Sequence, residues 1–436
     1  MILDQLLLTF YGDDFTGSTD VLEALSLAGL PTALFLRPPS STDLQRFPGY
    51  RAVGVAGISR SQSPSWMEQN LPPAFTALQA LGAPVCHYKT CSTFDSSPCH
   101  GSIGKAIELG RHALNTQSVP LVVGAPALRR YVAFGNLFAT VDGETHRIDR
   151  HPTMSRHPVT PMDEGDLRLH LARQTTLPIG LVDILSLQAG LGLDRFMQLA
   201  AQGNAIVLFD TLDTASLPEI GRTLWESRHL APFFAGSSGV EYALLAYWQS
   251  LGILPPRPPV HDAQPVDRLL VVSGSCSPVT AKQIHYARHH GFTPLPVDVA
   301  SLLTSESEAA RLVAAAESLL ADGQSPVLFT AASPAHILPP SELASQIAAR
   351  LGALTGELVR RTRVQRTVVA GGDTSGFAGQ ALGIQALTMI RPFAPGSPLC
   401  RIWSPDRTID GTEILLKGGQ VGGEQLFVEV RNGRPG

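Results

Sequence analysis

The chain has 436 residues, too many for one ordinary hydrophobic core, so two or three domains are expected. A hydrophobic fraction of 44% against a charged fraction of 16% suits a globular enzyme and excludes a disordered or fibrous chain. A formal charge of −4 gives no electrostatic case for a nucleic-acid or membrane-surface partner, and no apolar run is long enough to span a bilayer.

Residues 6–10 form an apolar run that reads as a buried strand and stops at Gly12. The chain start carries Asp4 and lacks a basic leader, so it reads as a strand and not a signal peptide. Asp13, Asp14, Thr16, Gly17 and Ser18 follow, then the helical spacing of Val21, Leu22 and Leu25. In an open α/β sheet, the loop after a strand's carboxyl end is where ligands bind. Carboxylates there accept hydrogen bonds from a polyol, hold a cation or take a proton. One carboxylate is enough to cap the helix, so the second needs another partner.

Further β-rich runs lie at 32–36, 52–56, 120–123, 179–182, 205–209, 269–272, 327–330 and 367–370. Helical patterns follow most of them, for instance at 275–290, 306–321 and 340–351. This alternation predicts parallel sheets flanked by helices.

Two more polar islands interrupt the first half. Tyr88-Lys89-Thr90-Cys91-Ser92-Thr93-Phe94-Asp95-Ser96-Ser97 is either a Ser/Thr-rich loop with a surface ion pair, or a hydroxyl cradle for a polyol with Lys89 countering an anionic group. Cys86, His87, Cys91, Cys99 and His100 cluster without a paired Cys-x-x-Cys spacing, so no metal site is expected. Five cysteines, an odd number without a disulfide framework, suit a reducing cytoplasm. Between 147 and 162, Arg-His-Pro occurs twice and three prolines prevent a long helix. That segment is a solvated basic loop, or an ordered lid in which Arg156 presents a fork suited to a carboxylate and His157 can carry a proton. Ala235-Gly236-Ser237-Ser238-Gly239 repeats the order of strand, small-residue loop and helix, lining the same cleft or making a plain tight turn.

The stretch 254–265 is proline-rich and reads as a linker between a domain at 1–255 and one at 266–436. In the second domain, Ser273-Gly274-Ser275-Cys276-Ser277 follows a strand and leads into a helix, where backbone N–H groups and hydroxyls can receive phosphate oxygens. Gly371-Gly372-Asp373-Thr374-Ser375-Gly376 follows another strand, with a helix expected from about Phe377. A third loop runs Lys417-Gly418-Gly419-Gln420-Val421-Gly422. Three such loops in one domain point to a nucleotide phosphate site. None is a Walker A loop, and no dinucleotide or protein-kinase signature is present.

At these residues the chain resembles the four-carbon acid sugar kinases over essentially its whole length. Tyr11-Gly12-Asp13-Asp14-Phe15-Thr16-Gly17 resembles that family's opening Ala-Asp-Asp-(Leu/Phe)-Thr-Gly, and Tyr88 to Ser97 its Tyr-Lys-x-Cys-Ser-Thr-Phe-Asp-Ser segment. His157-Pro158-Val159-Thr160-Pro161-Met162, Val272-Ser273-Gly274-Ser275-Cys276-Ser277 and Gly371 to Gly376 resemble three more motifs in the same order. The last loop departs from the usual Lys-Ser-Gly-Asn-Phe-Gly, with Gly419 and Gly422 matching. The segment 147–156 looks closer to 3-oxo-isoapionate kinases than to tetronate kinases.

The resemblance implies two α/β lobes, each a largely parallel sheet flanked by helices, with the active site in the interdomain cleft. It implies an enzyme that uses ATP; Mg²⁺ is expected to bridge the phosphates, because the loops alone carry little positive charge, and a homo-oligomer is allowed. The expected reaction phosphorylates a terminal hydroxyl of a short acid sugar, such as 3-oxo-isoapionate or a 3-oxo-tetronate. The alternatives are a D-threonate or D-erythronate kinase and a non-enzymatic sugar-acid or nucleotide sensor. A dehydrogenase is disfavoured by the missing dinucleotide fingerprint. Asp13 and Asp14 are expected to orient the acceptor hydroxyl, the base being one of them or a histidine of the Arg-His-Pro segment. Lys89 and Arg156 are expected at the substrate carboxylate, and Ser92, Thr93, Asp95 and His157 around the rest of the substrate. Ser273, Ser275, Ser277, Gly371, Gly372, Asp373, Thr374, Ser375, Gly419 and Gly422 are expected to hold ATP.

Overall fold

The computed structural model describes residues 5–257, 259–331 and 341–435, the side chains of 341 and 342 excepted. Pro258 of the proline-rich stretch and Pro340, where a helical pattern is expected to begin, lie outside them. The chain forms two compact units: Met1–Ala33 with Arg37–Pro258, and Leu34–Leu36 with Pro259–Gly436.

The first unit is built on parallel strands in the order Ala52–Ala56, Leu8–Gly12, Cys86–Lys89, Phe233–Gly236, Val119–Val122, Ile206–Phe209 and Ile179–Val182. The first six of these are buried along their whole length, the condition under which parallel sheets read as continuous apolar runs. Helix Pro64–Gln79 covers the centre through Phe75, whose ring meets Tyr11, Tyr88 and Phe233 edge-on at 5.9, 5.9 and 5.2 Å. The runs expected from sequence are strands whose ends move by no more than two residues.

A small antiparallel sheet, Arg130–Ala133, Asn136–Val141 and Glu144–Arg147, was not expected. Its two hairpins turn on Phe134-Gly135 (φ 48° and 82°) and Asp142-Gly143 (φ 50° and 85°), the paired positive φ that matches strand twist. Buried Asp210 anchors the first turn by accepting from the N–H groups of Phe134 at 2.6 Å and Gly135 at 2.9 Å. After this sheet, the proline-rich segment makes only two short 3₁₀ turns, Ile148–Arg150 and Met154–Arg156.

In the second unit, Phe292–Pro296, Ser325–Phe329, Leu270–Ser273, Arg366–Ala370 and Glu413–Lys417 run parallel. Ser397–Trp403 and Ala386–Ala394 add antiparallel strands, and Leu34 and Phe35 pair with Leu387 and Ala386. The helix expected from Phe377 begins at Gly372 and runs to Ala381. Gly-Gly-Asp-Thr-Ser-Gly is a poor helix interior, but the Ser375 N–H and hydroxyl both bond Gly371 O, at 2.9 and 2.8 Å, and close the first turn. Among the described residues, no helix is long and apolar enough to cross a membrane.

Gly236 ends a central strand at φ 141°, and a Cβ there would lie 1.9 Å from Val122 O. Gly236→Ala is expected to destabilise the protein by about 2 kcal/mol or more. Gly143→Ala, at a hairpin tip open to solvent, should cost only about 1 kcal/mol. Urea unfolding of both variants checks the order.

Candidate functional site

Register decides which loops meet. Gly12, the last residue of its strand, lies opposite Ala56 on one side and Lys89 on the other, and Lys89 lies opposite Gly236. The segments that follow these strands therefore leave the sheet at one level. They carry Asp13 and Asp14, Ser59 and Arg60, Thr90 to Asp95, and Ser237 and Ser238.

Asp14 caps helix Phe15–Leu27, taking the Gly17 N–H at 2.8 Å on Oδ1 and the Thr16 hydroxyl at 2.8 Å on Oδ2. The partner that Asp13 needed is Arg60. Its Nε and Nη2 reach the two Asp13 oxygens at 3.2 and 3.0 Å, and its Nη1 reaches Asp14 Oδ2 at 3.0 Å. One guanidinium thus joins both carboxylates. Asp13 is 4% exposed, and burial pushes its carboxyl up to about 6, although Arg60 pulls the other way. Burial also works against the charge on Asp14, but Arg60, Lys89, Thr16 and the Gly17 N–H hold that carboxyl below its ordinary value. The two neighbours are therefore electrostatically distinct. Sequence reading missed Arg60; the signal was Ser59-Arg60-Ser61 directly after the 52–56 run.

The Lys89 ammonium is buried beside Asp20, with Nζ 3.9 Å from Oδ2. It also lies over Gly17, where a Cβ would stand 3.0 Å from Nζ and 2.4 Å from Asp14 Oδ1 and would press on the capping carboxylate. Deeper in the sheet, His87 Nδ1 lies 2.6 Å from Glu241 Oε1 and Nε2 lies 3.2 Å from Gly236 O, with both side chains fully buried. His87 therefore bridges the Glu241 side chain and the end of the neighbouring strand. Glu241 Oε2 has no hydrogen-bond partner among the described residues.

The loop after Lys89 is built around Phe94, fully buried at φ 58° with its ring 6.0 Å from His170. A non-glycine residue in this region costs about 1 kcal/mol, and burial of the ring offsets it. Flanking Phe94, Thr93 Oγ1 donates to Asp95 Oδ1 at 2.5 Å. Thr160 Oγ1 lies 3.3 Å from Asp95 Oδ2 and 3.1 Å from His157 Nδ1, which also accepts the Thr160 N–H. The structure therefore brings Thr93, Asp95 and His157 together through Thr160. Ser92 is half-buried, and among the described residues no hydrogen bond reaches its side chain. Arg156 is exposed, and among the described residues no ion pair reaches it.

Arg130, on the first hairpin strand, is a second cation that sequence reading passed over. Its Nη1 donates to the carbonyls of Leu128, Arg129 and Thr140 at 3.0, 3.1 and 3.4 Å. Its Nε is buried without a partner among the described residues.

The second unit repeats the construction. Ser273 lies opposite Ala370, and Ala370 opposite Lys417, so the three glycine- and serine-rich loops leave adjacent strands at one level. The serine hydroxyls form a staircase: Ser273, Ser275 and Ser277 accept from the N–H groups of Ser275, Ser277 and Val279 at 3.3, 3.2 and 3.2 Å. The hydroxyl hydrogens are not used in these bonds. A Cβ on Gly419 would stand 2.5 Å from Ser275 Oγ, and one on Gly371 3.5 Å from Ser275 N, so all three loops converge on Ser275. Ser375 instead turns its hydroxyl back to Gly371 O. Gly372 and Asp373 are exposed on the first turn of their helix. Gln283 donates to the carbonyls of Val421, Gly422 and Gly423 at 3.0, 3.1 and 3.0 Å and pins the last loop.

Residues 8–244 match the model of a sugar-binding N-terminal domain, and residues 270–427 that of a nucleotide-binding C-terminal domain. A 3-oxo-isoapionate kinase of Paraburkholderia graminis is 49% identical over 98% of this chain and 95% of its own length. A 3-oxo-tetronate kinase of Escherichia coli K12 is 31% identical over 89% of this chain and 98% of its own, and that of Salmonella typhimurium LT2 28% over 96% and 97%. Among solved structures, a Salmonella typhimurium LT2 protein superposes with a TM-score of 0.80 at 25% identity over 99% of both chains. A Haemophilus influenzae protein gives 0.73 at 23% over 96% of this chain and 98% of its own, a likeness of fold.

Removing one partner of a fully buried hydrogen bond leaves the other unsatisfied. Glu241→Ala is therefore expected to destabilise the protein by about 2 kcal/mol in urea unfolding. The double variant His87→Leu with Glu241→Leu should lose less than the single one.

Proposed function

The chain belongs to the family that joins a sugar-binding N-terminal domain to a nucleotide-binding C-terminal domain, and from that premise we propose that it transfers phosphate from ATP to a terminal hydroxyl of a 3-oxo acid sugar, 3-oxo-isoapionate before the 3-oxo-tetronates. It is a kinase acting on acid sugars. The observation that carries the finer reading is the pair of in-register strand ends, one rich in carboxylates, hydroxyls and cations, the other in glycine and serine.

Phosphoryl transfer depends on positioning and on neutralising charge. Asp14, the more exposed carboxylate, orients the acceptor hydroxyl. Asp13, with its carboxyl near 6, accepts the proton that the hydroxyl loses as the new phosphate ester forms. Arg60 fixes both carboxylates and keeps Asp13 ionised at neutral pH. Thr93, Asp95, Thr160 and His157 form the hydrogen-bonding wall for the sugar hydroxyls, with Ser92 beside them. The substrate carboxylate is assigned to Arg130, whose buried Nε lacks an acceptor among the described residues; Lys89 stands near Asp20 and Arg156 lies out on the surface.

Ser273, Ser275, Ser277, Gly371, Gly372, Thr374, Gly419 and Gly422 form the phosphate cradle, while Ser375 closes the helix turn beneath it. Among the described residues no group of three His, Cys, Asp or Glu side chains is suited to a metal ion. Mg²⁺ carried chiefly by the phosphates needs only one or two carboxylates from the protein. Asp373 is the carboxylate in these loops that would hold it, and the ion would neutralise phosphate charge during transfer.

ADP release should depend on an added acid sugar, in a screen of 3-oxo-isoapionate, 3-oxo-tetronates and tetronates. ADP release with none of them would point to a sensor instead. Asp13→Asn should lower turnover by about 10²-fold or more while ATP affinity holds; near-normal turnover would refute its role as base. Wild-type kcat/KM should fall as pH drops through about 6, because Asp13 then takes up a proton. Arg60→Met removes the opposing charge, so the same limb should move to higher pH.

Arg130→Met should raise KM for the acid sugar by about tenfold or more, with KM for ATP unchanged. An unchanged sugar KM removes Arg130 from the carboxylate site.

A further inference from the structure

Lys417 is the last residue of its strand and is fully buried beneath the loop that carries Gly419 and Gly422. Its ammonium donates to Thr280 Oγ1 at 2.9 Å and approaches Gly419 O at 3.5 Å. Thr280 in turn donates to Gly419 O at 2.8 Å, so cation, hydroxyl and loop backbone form one knot. Both acceptors are neutral. A buried ammonium ordinarily has a carboxylate partner, and among the described residues no ion pair reaches this one.

The charged groups on the surrounding elements are engaged or turned elsewhere. Arg366 on the adjoining strand bonds Glu413 at 2.6 Å, and Arg401 on the other flank lies opposite Glu413. Helix Pro278–Arg288 carries Lys282, which lies 3.8 Å from Glu424, together with His285 and Arg288. Asp373 is exposed on helix Gly372–Ala381, and Cys276 stands in the serine loop. None of these forms an ion pair with Lys417 among the described residues. Ser275, the point where the three loops converge, packs against the same Gly419.

We propose that Lys417 is a phosphate-binding residue of the nucleotide site, a cation held beneath the glycine loop whose missing counter-charge is the nucleotide's own phosphate chain. The assignment rests on the reading of this unit as nucleotide-binding. It explains why a strand buried on both faces ends in lysine, and why the loops above it contain no arginine. Burial alone pushes the Lys417 ammonium down to about 8, so in the free protein it sheds its proton just above neutrality. A bound polyphosphate favours the charged form, which couples affinity to pH.

The test is calorimetric titration of adenosine, AMP and ADP, without magnesium, into wild type, Lys417→Met and Lys417→Arg. Thermal melting and near-ultraviolet circular dichroism confirm that each variant is folded. Lys417→Met removes a charge-assisted hydrogen bond to phosphate, so it should weaken ADP about tenfold or more, AMP less, and adenosine hardly at all. Wild-type ADP affinity should fall between about pH 7.5 and pH 9.5, while Lys417→Arg, whose charge persists, should show a flat profile. Equal losses for adenosine and ADP, or a wild-type profile as flat as that of Lys417→Arg, would mark a purely structural lysine and overturn the proposal alone. Wild type that binds none of the three nucleotides would overturn the nucleotide reading, and the proposal with it.

Discussion

Parallel strand register is the constraint that holds both sets of functional loops in place. Gly12 sits opposite Ala56 and Lys89, and Ala370 sits between Ser273 and Lys417. A slip of one residue would exchange the two faces of a strand and would lift one loop away from its neighbours. The central strands are largely apolar on both faces, so most polar groups gather where the strands end; His87, inside its strand, is accommodated by bonding Glu241 and Gly236 O.

Burying charge at those ends has two different solutions in the two units. In the first, polar groups compensate one another: Arg60 joins Asp13 and Asp14, Lys89 stands by Asp20, and His87 bonds Glu241. Such groups keep their geometry without ligand, which suits a site that must orient a small polar substrate. Asp13 and Asp14, adjacent in sequence, are driven to opposite sides of their ordinary value because one is shut away from water and the other collects donors. In the second unit the loops are nearly charge-free and the buried cation beneath them keeps only neutral partners. A site of that kind is completed by the anion it receives.

Single buried side chains tie down the loops. Asp210 fixes the first hairpin turn through two backbone N–H groups, and that hairpin carries Arg130. Phe94 drives its ring into the core, and its left-handed backbone sets Thr93 and Asp95 within one hydrogen-bonded group. Gln283 ties three consecutive carbonyls of the last glycine loop. In each case one buried side chain commits its hydrogen-bonding or apolar capacity to backbone, and a loop without regular structure keeps one shape.

Residue order alone was enough to establish the alternation of strands and helices, the division of the chain by a proline-rich stretch, and the loops that follow strand ends. Those features are local: apolar runs, glycine pairs and capping residues act within a few positions of one another. The Asp142-Gly143 hairpin carries a signal of the same local kind. Which loops meet was settled by folding. Arg60 lies 46 and 47 residues from the two carboxylates it joins, and Thr280 lies 137 residues from Lys417. Sequence patterning placed Lys89 and Arg156 at the substrate because both are cations in polar islands. Whether a cation is free, however, depends on which carboxylates the fold sets beside it. That is a property of distances across strands, and no spacing along a single chain encodes it.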